Sequence, residues 1–123
     1  RVLFRSSITR LKKELLAIVK KEVKKRDNYT CQKCGKYVSG VDCQASHVIP
    51  VSHGNNLMFD PLNMKVLCMH CHLHWWHKNP LEAHLWFKGK FPERYKYLMK
   101  RKNEVVKWKE NDYMEMIKDL TLP

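Results

Sequence analysis

Two pairs of cysteines have the spacing in this sequence that most directly indicates chemistry. Cys31 and Cys34 form one C-x-x-C pair, Cys68 and Cys71 form a second, and 33 residues (positions 35–67) separate the two pairs. The two-residue gap lets both sulfurs of a pair turn toward one ion, and two such pairs complete a tetrahedral shell. The spacing therefore predicts a structural zinc site, because four thiolates leave no open position at which the ion could activate water.

Other uses of the cysteines fit the sequence less well. Disulfide bonds would leave one of the five cysteines, Cys43, without a partner, and the sequence shows no secretory signal. A redox C-x-x-C would explain one pair and leave the other without a role. We expect Cys43 to be a small buried apolar residue. Zinc would supply folding energy that a chain of 123 residues needs beside its modest core.

The segment between the cysteine pairs predicts two short strands followed by a helix. Residues 43–49 suit a strand, and Pro50 ends its hydrogen-bonded pairing. Gly54-Asn55-Asn56 is typical of a turn, and Val66-Leu67 suits a second strand that leads into the second cysteine pair. A helix is expected from Cys71 to about Asn79-Pro80. The predicted order is strand, loop, strand and helix, held together by the metal.

Three motif residues stand at fixed places in this segment, and they are His47 within Ser46-His47-Val48-Ile49-Pro50, Asn63 and His72. Over residues 29–80 the segment resembles the HNH, or ββα-metal, nuclease family. Ser46-His47-Val48-Ile49-Pro50 is similar to the first motif of the family, in which His is followed by an aliphatic residue and Pro. Asn63 is similar to the central Asn, and His72 stands where the family has its last His or Asn. The resemblance implies a metal-dependent endonuclease that hydrolyses phosphodiester bonds in DNA.

A closer resemblance is to the NinG (Rap) type of recombination nuclease of lambdoid phages. It rests on Ala45-Ser46-His47, on the Phe59-Asp60 approach to Asn63, and on the order Cys68-x-x-Cys71-His72-x-His74. It implies DNA recombination as the context, branched recombination intermediates as the substrate, and the host cytoplasm as the location.

The resemblance also implies roles for individual residues. His47 would be the general base, because imidazole titrates near neutral pH. Asn63 would orient His47 or pin the adjacent loop through its amide. His72 would hold a divalent ion beside the scissile phosphate.

The residue before the base departs from the family pattern. Many HNH enzymes place a metal-binding Asp or His there, whereas this chain has Ser46. The ion then needs other ligands, and His74 is the expected one, with His77, His53 and Glu82 as further candidates. Mg²⁺ prefers oxygen ligands, and a shell rich in histidine suits Mn²⁺, Ni²⁺ or Zn²⁺. We expect Mg²⁺ or Mn²⁺, with Ni²⁺ and Zn²⁺ as alternatives.

The charge of the chain indicates a polyanionic partner. The formal net charge is +12, divided as +7 over residues 1–30, +2 over residues 31–80 and +3 over residues 81–123. The N-terminal flank predicts a helix over residues 1–28, capped by Ser6 or Ser7, with one apolar and one lysine-rich face. That face is either a solvated surface or a contact surface for phosphates. The expected DNA-contacting lysines include two that flank the catalytic residues, and they are Lys12, Lys13, Lys20, Lys21, Lys24, Lys25, Lys65 and Lys78.

The C-terminal flank, residues 81–123, is also expected to be helical. Phe91-Pro92-Glu93 puts Pro at a helix start, and an interruption is expected at Asn103 or at Asn111-Asp112. The aromatic side chains of this flank suit core packing better than base stacking.

Together these observations predict one domain over residues 1–123 of the α+β class, with a zinc-stabilised HNH core between helical flanks. The principal hypothesis is an HNH endonuclease, and the alternative is a non-catalytic, zinc-stabilised DNA- or RNA-binding module. No apolar run is long enough for a membrane span. The sequence shows no secretory signal either, and an intracellular, cytoplasmic location is expected. A start at Arg1 rather than Met is typical of a fragment. Symmetric cutting of two strands would favour a homodimer.

Overall fold

The computed structural model describes residues 2–51 and 56–122, and it contains five helices and one two-stranded sheet within those residues. The α+β class expected from the sequence is confirmed. The elements, in chain order, are α1 (Val2–Arg26), β1 (Gln44–His47), β2 (Met64–Leu67), α2 (Met69–Cys71), α3 (Pro80–Lys90), α4 (Pro92–Arg101) and α5 (Glu110–Thr121). Short 3₁₀ turns lie at Gly40–Asp42, Asn56–Phe59 and Pro61–Asn63, and a π-helical turn occupies His72–Trp76.

Helix α1 forms because apolar residues recur at helical spacing along one face. Leu15, Val19 and Val23 from this face are buried in the core. The helix ends at Arg26, and the chain reverses through Asn28 and Tyr29, whose φ angles are 55° and 51°. The predicted stop at Asp27-Asn28 is therefore confirmed.

The predicted helix cap at Ser6 or Ser7 is wrong. Helix α1 already begins at Val2, so both serines lie inside it. The Ser7 hydroxyl donates instead to Glu110 Oε1 at 3.1 Å, which joins α1 to the first turn of α5.

The sheet is an antiparallel pair in which Ser46 lies opposite Lys65 and His47 lies opposite Met64. Strand β1 is shorter than residues 43–49 and ends at His47, although the Val48 N–H still donates to Asn63 O, the next residue in register, at 2.8 Å. Strand β2 is longer than the predicted Val66-Leu67 pair, and all four of its residues are buried.

The C-terminal flank folds into helices, as expected. Pro92 occupies the first turn of α4, and the chain is non-helical between the end of α4 and the start of α5, where Asn103 lies. Asn111-Asp112 instead lies within the first turn of α5, and Asp112 Oδ2 accepts the Lys109 N–H at 2.7 Å. None of the described helices is both long enough and apolar enough to cross a membrane.

One buried carboxylate links the end of α1 to the sheet. Asp27 is 9% exposed, and its Oδ2 accepts the backbone N–H of Val66 at 2.9 Å. The neighbouring Arg26 guanidinium forms an ion pair with Asp27 at 2.9 Å and donates to Met64 O at 2.7 Å. The two side chains therefore fix β2 against the end of α1.

We predict that Asp27→Ala lowers the free energy of unfolding by about 2–3 kcal/mol, because the buried Val66 N–H loses its acceptor. Denaturant unfolding of the full chain measures this change. The exposed Asp119→Ala is the matched control and should stay within about 0.5 kcal/mol of wild type. Equal stability of Asp27→Ala and wild type would contradict the account of this link.

Candidate functional site

The two cysteine pairs come together in space. The sulfurs of Cys31, Cys34, Cys68 and Cys71 all lie within 4.8 Å of one another, and Cys34 Sγ lies 3.9 Å from Cys68 Sγ. In a tetrahedral site with zinc–sulfur bonds of about 2.3 Å, the sulfurs are about 3.8 Å apart. The cluster could therefore hold a structural metal such as zinc.

Each pair forms a turn in which the backbone supports the sulfurs. The Cys34 N–H donates to Cys31 Sγ at 3.5 Å, and the Cys71 N–H donates to Cys68 Sγ at 3.4 Å. Gly35 follows the first pair with a φ of 79°, a value that glycine adopts readily. Burial opposes ionisation of Cys31, yet backbone hydrogen bonds from Cys34, Cys68 and Lys33 favour the thiolate, and its pKa falls to about 7. Burial, followed by the hydrogen bond to Cys68, raises the pKa of Cys71 instead. Because the thiolate is the form that binds metal, Cys31 reaches that form more readily than Cys71 does.

The fifth cysteine lies outside the cluster. Cys43 is 5% exposed, and burial raises the pKa of its thiol. The expectation of a small buried apolar residue is confirmed.

The second functional feature begins at the end of β1. The His47 ring is part-buried, and its Nε2 lies 2.9 Å from Met58 O. A carbonyl oxygen only accepts, so Nε2 carries the proton and Nδ1 carries the lone pair. Burial lowers the pKa of His47, and the charges of Lys20 and Lys65 lower it further. The ring is therefore neutral at neutral pH and able to accept a proton.

Asn63 pins the loop that follows His47. The side chain is fully buried, its Oδ1 accepts the Ile49 N–H at 2.8 Å, and its Nδ2 donates to Ile49 O and Leu57 O at 3.1 Å each. All these bonds go to backbone atoms. Of the two roles expected for Asn63, its contacts match loop pinning.

A π-helical turn brings His72 and His77 together. The His77 N–H donates to His72 O, five residues earlier, at 3.2 Å. This wider turn places residues i and i+5 on one face, whereas an α-helix would separate them. The two rings lie 4.6 Å apart between centroids, and their Nε2 atoms are 3.0 Å apart.

Gln44 fixes the tautomer of His72. Gln44 Nε2 donates to Val41 O at 3.0 Å, so Gln44 Oε1 is the atom that faces His72 Nδ1 at 2.5 Å. His72 Nδ1 is therefore the protonated nitrogen, and Nε2 carries the lone pair toward His77. Burial, followed by the charge of His77, lowers the pKa of His72 to about 4. A neutral ring with an oriented lone pair is the form of histidine that binds metal ions.

His47, His72 and His77 line one cavity of about 370 Å³. Its walls include Ser46, His47, His72, Trp76, His77 and His84, and Lys20 from α1 also lines it. None of the described residues that line the cavity is Asp or Glu. The cavity thus joins a neutral candidate base to a pair of imidazoles beside a lysine.

The structure places two of the other expected ligands, His74 and Glu82, outside this cavity. The His74 ring is exposed and packs against His70, with 5.3 Å between the ring centroids. Glu82 Oε1 accepts from Trp75 Nε1 at 3.4 Å and does not line the cavity. His53 lies outside the described residues.

His84 lines the cavity and is a residue that the sequence reasoning missed. Its Nε2 lies 3.1 Å from Val48 O, its Nδ1 lies 2.7 Å from Pro80 O, and its ring packs against Trp76. The available signal was its position four residues after Pro80, which starts α3. Residues at that spacing share a helix face, so His84 faces the same way as the helix start.

The expected DNA-contacting lysines separate into two groups. Lys20 lines the cavity, and Lys12, Lys13, Lys21, Lys25 and Lys78 are exposed, with Lys24 half-buried. Lys65 is fully buried instead. Because its ammonium has no accessible surface, the expected contact between Lys65 and a DNA phosphate is contradicted.

Comparison with known proteins adds one family match. Residues 31–75 match the model of the family described as HNH endonuclease. No curated protein matches the chain, and no solved structure matches it. The family match supports the resemblance to HNH nucleases and indicates a nuclease or nucleic-acid-binding function. The closer resemblance to the NinG type gains no support.

We predict that Cys68→Ser loses the bound zinc and unfolds at a lower temperature, because three sulfurs cannot complete the tetrahedral shell. Metal analysis and thermal unfolding of the purified chain measure both effects. Cys43→Ala is the matched control and should retain zinc, since Cys43 lies outside the cluster. A Cys68→Ser protein with full zinc content would refute the four-sulfur site.

Proposed function

We propose that this chain is a metal-dependent endonuclease of the HNH type that hydrolyses phosphodiester bonds in DNA. The observation that carries the proposal is one cavity, largely within the segment that matches the HNH family, that joins His47 to the His72–His77 pair. A purely DNA-binding module has no need for a neutral base beside two imidazoles in contact.

His47 is the general base of this proposal. Its Nδ1 lone pair accepts a proton from water, and the resulting hydroxide attacks phosphorus while the bond to the 3′ oxygen breaks. The leaving oxygen is protonated from solvent, so the products carry 5′-phosphate and 3′-hydroxyl ends. Asn63 supports this step by holding the loop after His47 through Ile49 and Leu57.

His72 and His77 are the proposed ligands of a divalent ion. Two nitrogen ligands at about 2.0–2.1 Å from one ion are about 3 Å apart when they are neighbours in its shell, and the Nε2 atoms are 3.0 Å apart. A divalent ion held there would neutralise charge that develops on the phosphate. His72 keeps its orientation through Gln44, which also prevents Nδ1 from competing as the ligand atom.

The donor set favours particular metals. Imidazole nitrogens suit Mn²⁺, Ni²⁺ and Zn²⁺, whereas Mg²⁺ prefers oxygen ligands. Since no described carboxylate lines the cavity, we propose that Mn²⁺ or Ni²⁺ supports cleavage better than Mg²⁺ does.

Helix α1 is the proposed contact surface for DNA. Lys20 lines the cavity, and Lys13 and Lys24 lie seven residues before it and four residues after it, so the three share a helix face. Lysines spaced along one face neutralise phosphates and position a strand without reading bases. The strand would then run along α1 and place one phosphate at the cavity.

The alternative function is DNA or RNA binding without cleavage. The observation that favours it is Ser46, which stands where many HNH enzymes have a metal ligand. Under this alternative the His72–His77 pair would have no catalytic ion, and substitution of His47 would change nothing but local packing.

We predict that His47→Ala lowers the cleavage rate about 10²–10⁴-fold, because the proton acceptor is lost. His77→Ala should lower the rate through loss of the ion, and added Mn²⁺ at higher concentration should partly restore it. His74→Ala is the matched control, since it removes an exposed histidine outside the cavity. Gel assays on duplex, flap and four-way DNA measure the rates and the substrate preference.

The pH profile of the same assay tests the base directly. Only neutral His47 accepts a proton, and burial lowers its pKa below the ordinary value of 6.5. The rate should therefore hold as the pH falls toward 6.5 and decline only below it. Cleavage by His47→Ala at the wild-type rate would remove His47 from the mechanism.

A further inference from the structure

The least expected side chain in the structure is that of Lys65. Its exposed fraction is 0%, and it extends from β2 beneath the opposite residue of β1, Ser46. Lys65 Nζ lies 3.0 Å from Ser46 Oγ, 3.2 Å from His47 O and 3.1 Å from the centroid of a Trp76 ring. An ammonium has three N–H donors, and two oxygens and an aromatic face supply three acceptors. Each N–H of an ammonium would therefore have an acceptor, but none of the three acceptors is an anion.

This buried amine has no anionic partner among the described residues. None of the ion pairs among those residues includes Lys65. Burial lowers its pKa well below the ordinary value, and the charge of Arg94 acts in the same direction. A nearby anion would act in the opposite direction and favour the ammonium.

The three groups that hold Nζ also line the functional cavity. Ser46, His47 and Trp76 all form part of its wall, so the amine lies directly behind that wall. Lys20 adds a positive charge, and no described carboxylate lines the same cavity. Before a divalent ion binds at His72 and His77, the field inside the cavity therefore suits an anion.

Ser46 is the residue that can pass this charge to a ligand. Ser46 is 2% exposed, its Oγ accepts a hydrogen bond from Lys65, and among the described residues its own O–H donates to His47 O at 3.5 Å, the limit of a hydrogen bond. An anionic oxygen in the cavity would be a stronger acceptor for this proton than that distant carbonyl. A hydroxyl that accepts from an ammonium is polarised, and it becomes a stronger donor to an anion.

We propose that Ser46 and Lys65 form a phosphate-binding site in the wall of the cavity, in which the Ser46 hydroxyl donates to a phosphate oxygen and Lys65 supplies the charge behind it. The identification of the anion as a backbone phosphate of DNA rests on the proposed nuclease function. Ser46 then binds the substrate where many HNH enzymes bind the metal. The departure of Ser46 from the family pattern is in this way a change of ligand, from cation to anion.

Titration with inorganic phosphate tests this site without any cleavage. Zinc-loaded, ¹⁵N-labelled protein without added divalent ion is titrated, and amide shifts are followed by NMR, with sodium chloride at equal ionic strength as the blank. We expect saturable shifts at the amides of Ser46 and His47. Ser46→Ala and Lys65→Met should each weaken phosphate binding about tenfold or more, because each removes part of a charge-assisted hydrogen-bond system.

Lys100→Met is the matched control for the loss of charge. Lys100 is exposed on α4 and does not line the cavity, so its substitution should leave phosphate affinity within about twofold of wild type. The amide spectrum of each variant reports whether the variant is folded. If Lys65→Met does not fold, the phosphate affinity of Ser46→Ala alone tests the proposed site. The proposed site would be overturned by amide shifts that do not saturate with phosphate in the wild-type protein. It would also be overturned by equal phosphate affinity in wild type and Ser46→Ala.

The outcome is separable from that of the proposed function. Phosphate binding at Ser46 in a chain that cleaves no DNA would retain this site and refute the nuclease. Cleavage of DNA by a chain that binds no phosphate at Ser46 would retain the nuclease and refute this site.

Discussion

The convergence of four cysteine sulfurs is the constraint on which the rest of the structure depends. It joins the turn that follows α1 to the end of β2, over a sequence separation in which both strands and the candidate base lie. Both backbone polar groups of Val66 are hydrogen-bonded to this region, since its N–H donates to the Asp27 carboxylate and its carbonyl accepts from the Gln32 N–H. The sulfur cluster therefore fixes the position of β2, and β2 in turn positions β1 and His47. A metal at this cluster would add its binding energy to a small core.

Directly after the sulfur cluster, the chain makes the π-helical turn that brings together the His72–His77 pair. Cys71 ends α2, and the wider turn over His72–Trp76 brings His77 to His72. The same turn buries Trp76 against Lys65. One local irregularity thus supplies both the paired imidazoles and the aromatic face that holds the buried amine. π-Helical turns are frequent at functional sites, and this one has a direct geometric reason to be there.

Features that depend on local spacing could be predicted from the sequence. The cysteine cluster, the two strands, the end of α1 and the start of α4 follow from C-x-x-C pairs, turn residues and the position of Pro92. Features that depend on tertiary geometry could not. The pairing of His72 with His77, and not with His74, follows from a π turn that α-helical periodicity does not reveal. The burial of Lys65 depends on Trp76 and Ser46 meeting around it, and lysine alone indicates a solvated side chain. His84 reaches the cavity because α3 packs against the π-helical turn, where its ring meets Trp76, and its Nε2 lies 3.1 Å from Val48 O.

The central claim is that the cavity at His47 cleaves DNA with the help of a divalent ion, and one measurement on the wild-type chain tests it most directly. Purified, zinc-loaded protein is incubated with end-labelled duplex and four-way DNA, without added ion and with Mg²⁺, Mn²⁺ or Ni²⁺, and the product ends are analysed. The account predicts cleavage that depends on the added ion, is strongest with Mn²⁺ or Ni²⁺, and leaves 5′-phosphate ends. Binding of both DNAs without cleavage under every ion would contradict it and favour the non-catalytic binding module.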